Sequence, residues 1–227
     1  MRLFIIILMI YTVSVQAGKM VIFGSDTVIG SDIEVPSGTT LKILPGVTVK
    51  FEGYRTVLVR GVLLAEGKAD APILFTAVER DRGSREHPAW KGLDIVGRDA
   101  QGLFRHCRFE GAFRNLVWEC NPLFDSCEFA GNHYGLYCAR KAAPHVKHSR
   151  FYRNTYGVAA DFASPLLLDN TITGNNVGLY LQLCSKTIAG RNTITGNTTD
   201  IRSEESMGIN KNSLSLQQMW RIMQQLY

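Results

Sequence analysis

The chain has 227 residues, a formal net charge of +5 and five cysteines. At 45% apolar and 20% charged residues it is too hydrophobic for a disordered chain, and so mild a basic balance demands no nucleic-acid partner. The cysteines make no CxxC or CxxCH spacing, which excludes zinc-ribbon, thioredoxin-like and haem-attachment sites.

Arg2 opens the chain, Leu3 to Ile10 is an unbroken apolar run, and Val15-Gln16-Ala17 is a small-x-small triplet. This is the form of a secretory signal peptide over residues 1–17, cleaved after Ala17, with a buried N-terminal strand as the bland alternative. The run is too short to span a membrane as a helix, and no second apolar run of spanning length follows. The expectation is a secreted or periplasmic protein without a transmembrane segment.

From residue 18 onward the pattern has period two. Leu41 and Ile43, then Val47, Val49 and Phe51, then Val57 and Val59 alternate with polar residues. Breakers separate them: Pro36-Ser37-Gly38, Pro45-Gly46, Gly61, Gly67 and Ala71-Pro72. Alternation over such short runs means strands, and the absence of intervening helical patterns argues against βαβ units.

From Phe104 to Ile201 one unit is written five times. Anchors Phe109, Phe129, Phe151, Ile172 and Ile194 are spaced by 20, 22, 21 and 22 residues. Two positions before them stand Cys107, Cys127, Ser149, Asn170 and Asn192; three after stand Ala112, Asn132, Asn154, Asn175 and Asn197. Gly111, Gly131, Gly174 and Gly196 share a turn column in which Arg153 is the exception. A fixed period near twenty is the signature of a solenoid, since one unit cannot bury its own apolar face and must stack on its neighbours. Stacked coils lie ~4.8 Å apart. Cys107 and Cys127 are then within disulfide distance but point in parallel, so a buried thiol ladder is expected rather than a bond.

The runs LKILPGVTVKFEG, VLVRGVLLAEG, APILFTA and Trp90-Lys91-Gly92-Leu93-Asp94-Ile95 resemble the opening coils of right-handed parallel β-helix repeat proteins of the pectin-lyase-like superfamily. DNTITGNNVGLYL and RNTITGNTTDIR resemble the carbohydrate-binding and sugar-hydrolase type repeats of that group, including the NosD type. The resemblance implies an all-β, single-stranded right-handed parallel β-helix over residues 18–203. About nine coils are expected from the repeat period. Right-handed crossovers are also the strong preference of parallel strands.

Outward columns carry alternating charge: Arg105, Asp125 and Lys147, and again Arg108, Glu128 and Arg150. Opposite charges facing across strands support the register. Residues 77–90 (AVERDRGSREHPAW) interrupt the repeat as a charged excursion, the kind of loop where solenoids carry function. In the tail, Ser215 with Gln218 forms a capping box, and Leu216, Met219, Ile222, Met223 and Leu226 share a helical face. A capping helix over residues 213–227 is expected, with docking of a protein partner as the alternative.

The resemblance also implies catalytic motifs to look for. Paired Asp, Gly-His-Gly and Asp-Pro-x-Asp are all missing from the sequence. No outward column pairs two acids in neighbouring coils, as hydrolysis by two carboxylates would require. His106 and His148 share a column two coils apart, ~9.6 Å, too far for one metal. His145, in a column with Leu123, Leu166 and Ile188, reads as a partly buried structural residue. No cofactor and no metal are expected. The candidate site is a surface: Tyr137 and Tyr180 in one outward column with Val117 and Ala159, Tyr134 and Tyr156 stacked nearby, and Arg114, Arg140 and Arg153 flanking them. Aromatic rings on a rigid face stack on sugar rings and arginines meet acidic groups, which points to polysaccharide. The bland alternative is that the tyrosines pack only on one another. The expected function is a non-enzymatic binding or scaffold module; an atypical or degenerate polysaccharide lyase or hydrolase and a metal-delivery protein of NosD type are the alternatives.

Overall fold

The structure, a computed structural model, describes residues 18–79, 84–182 and 187–204. The expected signal peptide, the capping helix over 213–227 and Cys184 lie outside the described residues. The described residues form a parallel β-solenoid. Twenty-four strands run from β1 (Met20–Phe23) to β24 (Thr199–Glu204) and build three sheets of eight. Every third strand stacks on the last, as in β1-β4-β7 of the first sheet. We term these sheets A, B and C in the order the chain enters them. Eight strands per sheet give eight rungs, one fewer than the repeat period implies. The 77–90 excursion accounts for the difference, because it lengthens the third rung between β8 (Ile73–Ala77) and β9 (Gly92–Val96).

The repeat columns are columns in space. Phe109, Phe129, Phe151, Ile172 and Ile194 are successive partners in sheet B. Phe104, Phe124, Val146 and Leu167 do the same in sheet A. The rings stack face to face along the axis, Phe129 on Phe151 with centroids 4.6 Å apart. Trp90, brought in by the end of the excursion, stacks on Phe51 at 3.9 Å and donates its indole N–H to the Glu110 carbonyl. Period-two alternation therefore fills the tube with apolar side chains, and the parallel stacking makes like sit on like.

Polar columns close the corners. Between sheets B and C each Asn accepts, through its side-chain oxygen, the backbone N–H of the residue one rung earlier, Ala112 for Asn132 and an Asn thereafter, and its amide donates to a carbonyl of the previous rung. Ser149, Asn170 and Asn192 make the same chain of contacts between sheets A and B. These groups would otherwise be buried without partners, so the ladder satisfies the turns from inside. Gly157 stands where an added Cβ would lie 2.6 Å from the Gly178 carbonyl oxygen, so the backbones can approach only with glycine there.

Cys107, Cys120, Cys127 and Cys138 are free and buried. Cys107 and Cys127 donate to the Ala65 and Phe104 carbonyls respectively, a thiol ladder as expected. Both charge columns keep their register, with one change of contact: Lys147 reaches Asp125 at 3.3 Å, while Arg105 turns back to Glu66 at 2.8 Å. His145 is exposed rather than partly buried, because its column faces outward.

Candidate functional site

The outer face of sheet C carries a second apolar cluster, separate from the core. Ala159, Val177 and Tyr180 form it, with Tyr134, Tyr137 and Tyr156 packed against them. The strands responsible are β12 (Arg114–Trp118), β15 (Tyr134–Ala139), β18 (Tyr156–Asp161) and β21 (Val177–Gln182). All four tyrosines are brought together. Tyr137 stacks on Tyr134 at 5.1 Å, Tyr134 on Tyr156 at 4.9 Å, and Tyr156 on Tyr180 at 5.1 Å. The Arg202 guanidinium lies 5.6 Å over the Tyr180 ring. Phe113 and His133 extend the strip at the corner between sheets B and C, stacked on each other at 5.3 Å with His133 edge-on to Tyr134.

One column differs from expectation. Tyr137 pairs with Leu116, and Val117 pairs with Cys138. The β15 strand has one residue more than β12 between their first two pairs, so the register slips by one. Asn115 is buried at this bulge and donates its amide to the Gly135 carbonyl. The slip turns Val117 into the core and leaves Leu116 in the outward column of Tyr137, Ala159 and Tyr180.

The three arginines part company. Arg114 is tied to the buried Asp94, which Lys91 also approaches, so its charge is already matched inside the face. Arg153 sits in the turn between sheets B and C with a left-handed backbone, φ 57°, exposed. Arg140 is at the far end of sheet C, its guanidinium 5.3 Å over the Trp118 ring. There, Trp118, Arg140, Asp161 and Phe162 line a cleft of about 330 Å³. The Tyr137 hydroxyl donates to Asp161 Oδ2 at 3.1 Å and so joins strip to cleft.

The strip is electrostatically quiet. Burial and the Asp161 carboxylate beside it push the Tyr137 phenol up to about 12. Burial and Glu204 raise Tyr180, and burial and Tyr156 raise Tyr134. None of these phenols is tuned to ionise near neutrality as an acid or base in catalysis would be. Among the described residues, no three of the metal-ligating types are gathered where one ion could be held.

Residues 92–217 match the family described as the right handed beta helix region. The chain belongs to the right-handed β-helix family. No curated protein and no solved structure matches it.

The end of the excursion from residue 84 onward lies against the surface of this β-helix. The Arg85 carbonyl meets His133 Nδ1 at 3.2 Å and accepts from the Thr155 hydroxyl at 3.4 Å. It thus reaches two rungs of the aromatic corner. Sequence reasoning did not assign Trp118, Asp161 and Phe162 to a site. A signal for the first two is present in their column, where Trp118, Ala139 and Asp161 are successive partners.

Proposed function

We propose that this protein is an exported, non-catalytic β-helix module that holds a polysaccharide along the outer face of sheet C. The observation that carries the reading is the second apolar cluster on the outside of the tube. A solenoid needs aromatic residues inside, yet here Tyr134, Tyr137, Tyr156 and Tyr180 form a partly buried strip on the outer surface. Outward aromatic patches of this kind mark surfaces that meet a partner. Because each ring face is covered by the next ring, the strip offers ring edges and hydroxyls rather than open faces. An extended chain of sugars, with apolar C–H and polar O–H groups along its length, matches such a track.

Support also comes from the strip's being a cluster distinct from the core. A glycan array probed with the purified full-length chain, spanning neutral, aminated and uronate polymers, tests the reading. Binding that falls at least tenfold in Tyr134→Ala with Tyr156→Ala, at unchanged circular dichroism, supports it. Binding to no glycan overturns it.

A further inference from the structure

Beyond the strip, the structure assigns an anchoring subsite to the cleft formed by Trp118, Arg140, Asp161 and Phe162, and we propose that it takes one uncharged sugar residue. This rests on the polysaccharide reading and adds to it the place and class of the sugar that is gripped.

Trp118 and Asp161 stand in one column, one rung on either side of the buried Ala139. With Arg140 and Phe162 they line the cleft of about 330 Å³, a volume that holds one saturated six-membered ring. Phe162, 48% exposed on a left-handed turn residue, supplies a second apolar wall. Such a large exposed aromatic on the rim has no role in the core.

The polar groups then select the ligand. Asp161 Oδ2 is satisfied by Tyr137, but Oδ1 is screened from solvent with no hydrogen-bond partner among the described residues. A buried carboxylate oxygen left unpaired is costly. A ligand hydroxyl that donates to it supplies the missing partner. Arg140 is exposed and held over Trp118 by its ring, so it is the side chain that yields as a ligand enters. It supplies donors to a ring or hydroxyl oxygen. One carboxylate and one guanidinium cancel, so the lining has no net charge to reward an acidic sugar. An uncharged ring with one apolar face and several hydroxyls satisfies every wall.

The test uses the full-length protein and three neutral trisaccharides, of glucose, galactose and mannose, with trigalacturonate as the acidic comparator. Nuclear magnetic resonance of the indole N–H groups reports Trp118 directly. At least one neutral trisaccharide is expected to shift the Trp118 signal and not that of Trp90, which is buried against Phe51. Asp161→Asn, which preserves the shape and an acceptor for Tyr137, is expected to weaken that ligand about tenfold, and Phe162→Ala by a similar factor. If trigalacturonate binds more tightly than all three and depends on Arg140, the neutral-sugar assignment is overturned. If sugars bind and Tyr134→Ala with Tyr156→Ala abolishes binding, while Asp161→Asn and Phe162→Ala do not change it, the cleft is overturned and the strip stands. If no glycan binds at all, both fall together.

Discussion

Asn154 Oδ1 accepts two hydrogen bonds from Asn132, one from its backbone N–H at 2.9 Å and one from its side-chain amide at 3.1 Å. In the other direction the Asn154 amide donates to the Phe129 carbonyl and to Asn175 Oδ1, both at 2.9 Å. One side chain thus satisfies buried groups on the rungs to either side of its own. Asn154→Ala leaves at least a backbone donor and a backbone carbonyl without partners, and is expected to cost about 3–5 kcal/mol in urea unfolding. Asn197, part-buried near the end of the same ladder, is expected to cost about 1 kcal/mol when replaced by Ala, because water can reach the groups it serves. Equal losses at the two positions would show that the ladder contributes no burial-dependent term.

Asp125 gives the β-helix an acid-sensitive contact. Burial by itself would raise its carboxyl, but hydrogen bonds from His148, Lys147 and Ser126 and the Lys147 charge together hold it below the usual carboxylate range. A folded-state value below the unfolded one stabilises the fold at pH above the unfolded value, ~3.9. That stabilisation fades as pH falls through the depressed folded value. Chemical unfolding of the wild type is therefore expected to weaken more steeply than that of Asp125→Asn as pH falls below ~5. Parallel acid limbs in the two proteins would remove Asp125 from the account.

At the alkaline end the sign reverses. Burial first, then Asp161, raise Tyr137 to about 12, whereas an unfolded tyrosine ionises near ~10. Stability is complete below pH ~10 and is lost as pH rises from there through the folded value, because only the unfolded chain ionises readily. Tyr137→Phe is expected to flatten this alkaline loss, and absorbance at the phenolate band to show one fewer late-titrating tyrosine. An unchanged titration curve would place Tyr137 outside the raised group.

Arg153 occupies a turn column in which Gly131 and Gly174 have φ of 65° and 66°. Its own φ of 57° is left-handed, a conformation that a residue with a Cβ adopts only against strain. Arg153→Gly relieves that strain while giving up some unfolded-state restriction, so a gain of up to about 1 kcal/mol is expected in thermal or urea unfolding. A clear loss of stability would mean that the side chain makes contacts worth more than the strain.

Much of this protein was legible before any coordinates. The anchors Phe109 to Ile194 recur at a period near twenty. A parallel solenoid preserves that period as physical stacking, so columns in the sequence became columns in space. Asn, Gly and Phe positions could be read because each must repeat the job of its neighbour one rung away. The solenoid, its core and its turn ladders therefore follow from the repeat alone.

The arrangement of the outer face came from lateral packing. A one-residue bulge in β15 exchanged Leu116 for Val117 beside Tyr137, and a slip of one is invisible to a pattern whose anchors lie elsewhere. Lateral packing turned the tyrosine faces onto one another, matched Arg114 to Asp94 and carried Arg85 across to His133. It also gathered Trp118, Arg140, Asp161 and Phe162 at the end of sheet C, where the repeat no longer constrains the residues. The reason is physical. Inward side chains obey the period because each must fill the same tube, whereas outward ones answer only to lateral neighbours, which sequence spacing does not record.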